Sequence, residues 1–259
     1  MESEGMAAKP RELRQRYFLT PAECNPQGRM PLTLLINRLI EIATLHANEI
    51  GIGYASLVGY RQTWVLSRVA VEMTRYPEVN DHYEIATWIC SVNRLFSERD
   101  FCIYDSEGEV IGWARTVWAV LDTETRQGAD ISRMAWLGGI AEPSRCPIAK
   151  ASRPRPLVDY REEHYRFTYC DIDFNRHVNS SRYIELLLNQ WSLDFHDRYR
   201  LSRFEIAYMR EAYYDEAVEV RLQDDCAASD AEDAPLSTRA ELVHEGHPLC
   251  RALLSFTER

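Results

Sequence analysis

Between Asp171 and Asn179 the sequence reads Asp-Ile-Asp-Phe-Asn-Arg-His-Val-Asn, which puts a carboxylate, an amide and an imidazole at alternate positions 173, 175 and 177. In an extended segment that alternation sends Asp173, Asn175 and His177 off one side of the chain. Together they could activate a nucleophile, hold a developing oxyanion and move a proton. A helix starting near Asn179 would add backbone N–H groups for the oxyanion. The same residues also serve structure: Asp173 and Asn175 form turns, and His177 or Asn179 caps a helix. Capping is the role expected of Asn179. Glu211 supplies a further acid, in a strand-like stretch with Phe204, Ile206, Tyr208 and Tyr213, beside that second helix.

Elements must hold these groups. Leu32, Leu35, Ile36, Leu39, Ile40 and Ala43 recur at helical spacing, with Pro31 suited to the first turn and Gly51 to the stop. Alternating, β-branched and aromatic stretches predict strands at Trp64–Glu72, Tyr83–Val92, Phe96–Tyr104 and Val110–Leu121, the last two joined by a turn at Asp105–Gly108. The pattern lapses over 122–160, rich in proline, and then restarts. Tyr17-Phe-Leu-Thr20 aligns with Tyr165-Arg-Phe-Thr168, 148 residues on, and Leu66-Ser-Arg68 with Leu201-Ser-Arg203, 135 residues on. A second helix is predicted from Asn179 to Phe195. An apolar helix wrapped by antiparallel strands, twice over, predicts an α+β fold: a tandem hotdog with two long helices on one continuous sheet of roughly ten to twelve strands. The expected division is 1–130, a connector at 131–160, and 161–259.

The 259 residues carry a net charge of −10, which excludes sequence-independent nucleic-acid binding, since that needs a basic field. No apolar run is long enough to span a bilayer, and the amino terminus lacks a signal-peptide core, so a cytoplasmic protein is expected. Seven cysteines are scattered without a Cys-x-x-Cys pair, so neither disulfides nor a zinc site is expected. No cofactor or metal is called for, and no glycine-rich nucleotide loop is present. The acidic run from Asp224 to Asp233 is expected to be a mobile loop.

These residues resemble the acyl-ACP thioesterases, the fatty-acid-releasing hydrolases of plant plastids and bacteria, from about Tyr17 to the end of the chain. Trp64-Val-Leu-Ser-Arg68 and Glu72–Pro77 are similar to the family's WVLxR and EMxRYP segments. Ser97–Phe101, Thr116–Trp118 and Glu124–Arg126 also follow it. Asp171–Asn179 is similar to its DxDxNxHVN signature, with Tyr183 in its expected place. The resemblance implies a tandem hotdog whose first half shapes an acyl pocket and whose second half is catalytic through Asp173, Asn175 and His177. Arg210-Glu211 matches the family's RE pair, whose Glu has been given a catalytic role. Plant members carry a cysteine after that Glu; here the residue is Ala212, so a covalent cysteine mechanism is not available at that position.

Water is therefore the expected nucleophile, with Glu211 and His177 as general base and Asn175 holding the thioester carbonyl. Asp173 either fixes His177 or attacks as a carboxylate. The acyl chain is expected between the first helix and its sheet, lined by Leu39, Ala43 and Trp64, each buried methylene contributing about 0.8 kcal/mol. His46, on the same helix face, is expected to be a buried structural histidine. The expected partner is acyl carrier protein, met by Arg11, Arg14 and Arg16 or by Lys150, Arg153 and Arg155. Two other activities stay open, an acyl-CoA thioesterase and a non-catalytic acyl-binding hotdog protein. Pairing into a homodimer is also open.

Overall fold

Pro31 cannot donate a backbone hydrogen bond, but its carbonyl accepts the first one of a helix, from Leu35 N at 3.1 Å. From there α1 runs over Leu32–Glu49, and its apolar stripe, from Leu32 through Leu35, Ile36, Leu39 and Ile42 to Ala43, is buried. Gly51 ends it with φ +81°, a left-handed conformation that glycine adopts without strain. A computed structural model of the chain describes residues 9–152, 155–225 and 236–259. The acidic run therefore falls largely outside the described residues.

The strands are β1 (Glu12–Phe18), β2 (Gln62–Met73), β3 (His82–Val92), β4 (Phe96–Asp105), β5 (Val110–Asp122), β6 (Arg161–Arg166), β7 (Tyr199–Tyr208), β8 (Ala217–Asp225), β9 (Leu236–His244) and β10 (His247–Glu258). They form one antiparallel sheet in the order β1-β3-β4-β5-β2-β7-β10-β9-β8-β6. The right half repeats the left with every element replaced by its counterpart, and β2 and β7 meet at the seam. The fold is the expected tandem hotdog: one core, running through both halves, lies between the helices and the sheet.

Repetition reaches individual hydrogen bonds. Thr20 and Glu23 form a capping box, as do Thr168 and Asp171 at the same 148-residue offset. Met30 N donates to Pro77 O at 2.9 Å, and Val178 N to Ala212 O at 2.8 Å. Asn80 and Asp215 take matching left-handed conformations, φ +68° and +67°.

The helices are less alike than predicted. The short α2 (Tyr54–Val58) follows α1. In the second half α3 (Ser180–Leu188) is only 9 residues long, and the predicted helix to Phe195 is broken at Asn189, the C-cap. Ser192 then starts α4 (Leu193–Arg198) by accepting from Phe195 N. Trp191 and Phe195 still stack, at 5.7 Å, so the apolar spacing crosses a gap in the helical hydrogen bonds. The connector is not featureless either: Ser132–Gly139 forms 3-10 turns, whose Met134 and Leu137 pack with Ile131 against Ala47, Ile50, Ile89 and Val120.

Leu39 is 1% exposed in the shared core. Replacing it by alanine removes three buried carbons and leaves a cavity, so Leu39→Ala is expected to cost about 2–5 kcal/mol in urea unfolding. A loss below 0.5 kcal/mol, roughly the level of a surface change, contradicts that placement.

Candidate active site

The segment from Ile172 to Val178 is a closed loop, not the extended strand that alternation suggested. Ile172 and Val178 form an isolated bridge, Asp173 N donates to His177 O at 2.7 Å, and Arg176 takes φ +67°. Asp173 is turned inward: its Oδ1 accepts from Asn175 N at 2.8 Å and His177 N at 3.2 Å. It thus holds the backbone of His177, not its imidazole. Asn25 does the same in the first half, accepting from Gln27 N and Arg29 N, and Gly28 there takes the left-handed turn. Asn179 caps α3 through Ser181 N, as expected.

Glu211 lies just beyond the end of β7, not within a strand. The bond from Val178 N to Ala212 O clamps its segment against the His177 loop. His177 Nδ1 lies 3.6 Å from Glu211 Oε1, an ion-pair distance slightly long for a hydrogen bond. Arg126, from the turn after β5, pairs with the same carboxylate oxygen. The His177 ring meets Tyr213 edge to face at 5.1 Å. Burial, and then the Arg126 charge, push the His177 pKa below the ordinary imidazole value, with Asp173 opposing. Both effects favour the neutral ring, the form able to accept a proton.

Beside this loop is a cavity of ≈ 260 Å³ between α1 and the first half of the sheet. Ile40, Ala43 and Ala47 form one wall, Trp64 and Trp118 the other, and Phe174 and Asn175 of the second half, both exposed, border its mouth. Ala43 and Trp64 line it; Leu39 does not, being in the core behind. Trp64 is fixed by its indole N–H, which donates to Ile52 O at 2.8 Å.

The sequence did not point to the cavity's most unusual group. Arg99 is buried on the cavity wall, 5% exposed, and among the described residues no carboxylate pairs with it. Burial lowers its pKa to about 10, which still leaves it charged. Arg99 donates to His46 Nδ1 at 2.7 Å and to the Thr87 hydroxyl at 3.3 Å. A guanidinium only donates and a carbonyl only accepts, so His46 must carry its proton on Nε2, which donates to Pro10 O at 2.9 Å. His46 is the structural histidine expected, held neutral with a pKa of about 4 by burial and the Arg99 charge. Arg126 was also missed as a site residue, although its Glu-Thr-Arg segment had stood out. Its partner is 85 residues away, a separation that spacing cannot reveal.

The chain matches the N-terminal domain model of the acyl-ACP thioesterases over residues 10–134 and their C-terminal domain model over 155–258. It is 32% identical to an acyl-ACP thioesterase of known structure from Bacteroides thetaiotaomicron, with a TM-score of 0.83 over 97% of this chain and 100% of that one. This chain belongs to the acyl-ACP thioesterase family. The 12:0-ACP thioesterase from Umbellularia californica shares the fold, with a TM-score of 0.84 at 21% identity over 96% of this chain and 94% of that one. Chloroplastic oleoyl-acyl carrier protein thioesterase 2 of Arabidopsis thaliana is 25% identical over 80% of this chain and 61% of its own length. The chain thus spans about six tenths of the length of such curated plant relatives. Among the described residues no helix of this thioesterase-family chain is long and apolar enough to cross a membrane.

The His46 pair makes stability depend on pH. Below 6.5 the unfolded chain takes up a proton that folded His46 refuses until about pH 4. Its contribution is therefore complete above pH 6.5 and is lost as pH falls toward 4, by about 2–3 kcal/mol. Urea midpoints across that window should fall more steeply for wild type than for His46→Gln; equal slopes contradict the assignment.

Proposed function

We propose that this protein hydrolyses the thioester of fatty acyl groups carried on acyl carrier protein, releasing free fatty acid in the cytoplasm. The observation that carries the reading is the construction of the cavity: an apolar pocket in the first half, bordered at its mouth by Asn175 from a loop that also holds His177 beside Glu211. Family membership supplies the reaction class. Six cysteines among the described residues are unpaired thiols, which suits a reducing compartment.

In this scheme the acyl chain occupies the cavity and its carbonyl lies at Asn175, whose amide donates to the developing oxyanion. Neutral His177, with Glu211 alongside, takes a proton from water as the water oxygen bonds to the carbonyl carbon. The C–S bond then breaks, and the imidazolium returns its proton to the leaving thiolate. Asp173 acts as a positioning residue, because its inward carboxylate holds the loop that carries the other two. A carboxylate nucleophile at Asp173 is disfavoured by the same geometry.

Docking of an acidic carrier needs free cations. Arg14 and Arg16 are paired with Glu84, Arg11 with Glu142 and Lys150 with Glu98, which weakens the basic clusters first considered. Arg153 lies outside the described residues.

Free-thiol release from acyl-ACP and acyl-CoA panels tests the reading. Turnover of acyl-ACP is expected, with losses of about 10²–10³-fold in Asn175→Ala and about 10²–10⁴-fold in His177→Ala. Turnover confined to acyl-CoA replaces the carrier, and tight acyl binding without turnover replaces the enzyme by a binding protein. Trapping of an acyl-Asp173 adduct by rapid quench sinks the water mechanism.

Removing the Arg126 charge should raise the His177 pKa. Activity requires the neutral ring, so in Arg126→Gln the acid limb of kcat/KM is expected to move to higher pH. A limb that stays in place, or moves to lower pH, removes Arg126 from the electrostatics of the site.

A further inference from the structure

The cavity beside Asn175 also holds a group that the hydrolytic scheme does not use. The second half adjoins the first only along β2, so Asn175 reaches the cavity from that side. Trp64 stands on β2, Trp118 on β5 and Arg99 on β4, all in the cavity lining. Arg99 therefore lies two strand spacings, about 10 Å, farther from the second half than Trp64 does. Along β4 the side chains alternate. Glu98 and Asp100 take the opposite face, where Lys150 pairs with Glu98 and the Ser144 hydroxyl donates to Asp100 at 2.6 Å. Ser97 and Arg99 line the cavity.

Among the described residues no anion reaches Arg99 from the elements packed on it. His46 of α1 is neutral, Thr87 of β3 offers a hydroxyl, and burial pushes the Cys90 thiol up to about 12. Both hydrogen bonds that Arg99 makes leave from Nη1. Its Nε and Nη2 have no protein partner among the described residues. Those two N–H groups are parallel on one edge of the guanidinium, the geometry that a carboxylate accepts bidentately. A buried charge without a partner is costly, and an anion brought by a ligand offsets that cost. The fold does not demand the arginine. The repeat builds a second cavity, of ≈ 470 Å³, with Trp191, Tyr199 and Phe256 on its floor. In that half the matching β9 position is Thr238, whose hydroxyl already meets Asp224 at 2.6 Å.

We propose that the preferred substrates are half-thioesters of medium-length dicarboxylic acids, bound with the thioester at Asn175 and the free carboxylate on the Nε–Nη2 edge of Arg99. Water adds to the thioester carbonyl and the C–S bond breaks as described above, so the products are the dicarboxylic acid and the carrier thiol. This preference rests on the reading that the cavity holds the acyl chain of a hydrolysed thioester, and adds what that chain carries at its far end.

Free-thiol release from decanoyl-, ω-hydroxydecanoyl- and sebacoyl-pantetheine compares three substrates of one length that differ only at the far end. For the wild type, kcat/KM is expected to be about tenfold or more higher for sebacoyl than for decanoyl. Arg99→Met, which keeps the stem and removes the charge, should reverse that order. A wild-type ratio of one or below, an equal gain from ω-hydroxydecanoyl, or a sebacoyl preference that survives in a folded Arg99→Met each overturns the proposal. If Arg99→Met does not fold by circular dichroism, the wild-type order decides alone. If no thioester turns over, the hydrolytic reading fails separately, and calorimetric titration of the wild type tests the cavity. Monomethyl sebacate is then expected to bind about tenfold or more tightly than methyl ω-hydroxydecanoate, and equal affinity overturns the proposal.

Discussion

The antiparallel pairing of β2 with β7 determines where the other groups can act. Its register couples Val69 with Ile206, Ala70 with Glu205 and Val71 with Phe204. Ala70 and Glu205 are themselves counterparts at the 135-residue offset, so the seam is symmetric about that pair. Each half alone would expose an edge of unpaired backbone groups at this strand, and joining them removes both edges. It also faces each loop toward the cavity of the opposite half. Slipping the register by one residue would turn the seam's buried side chains to the opposite face of the sheet.

Within that frame the backbone is conservative and the side chains are not. The loops at Asn25–Arg29 and Asp173–His177 share an inward side chain accepting two backbone N–H groups, a left-handed residue three positions later and a clamp to the opposite segment. Such a loop is rigid for reasons unrelated to chemistry. Exchanging four side chains on the same scaffold changes what it presents from arginine and tyrosine to imidazole and carboxylate. The same holds behind the cavities. Arg99 is matched in register by Thr238, which needs only the Asp224 carboxylate at 2.6 Å, whereas Arg99 forces a neutral His46 beside it.

Periodicity made α1 legible, because its stripe is unbroken over its whole length. It misled on α3 because Ile184, Leu187, Leu188, Trp191 and Phe195 keep helical spacing across a real break, which Ser192 signals only as a local cap. Alternation misled at Asp173–His177, since three polar residues at spacing two fit a strand and also fit a turn whose first side chain folds back. The duplication was visible in two short strings, and its seam follows from the second of them. Arg126 and Arg99 were invisible as site residues because their significance lies in what they meet, or fail to meet, far along the chain. The aromatic floor of the second cavity was hidden for the same reason.

The proposed catalytic unit cannot be assigned to either half. The first half contributes the apolar cavity and Arg126; the second contributes Asn175, His177 and Glu211. Without Arg126, Glu211 would face His177 without its balancing cation, and its carboxylate would favour the protonated ring. Without α1 and its strands, exposed Asn175 would have no apolar cavity beside it, and a single amide in open water stabilises an oxyanion poorly. Duplication therefore did more than supply a spare copy. With the halves joined at one strand pair, one half can lack the site groups while its cavity wall and one charge still serve the other.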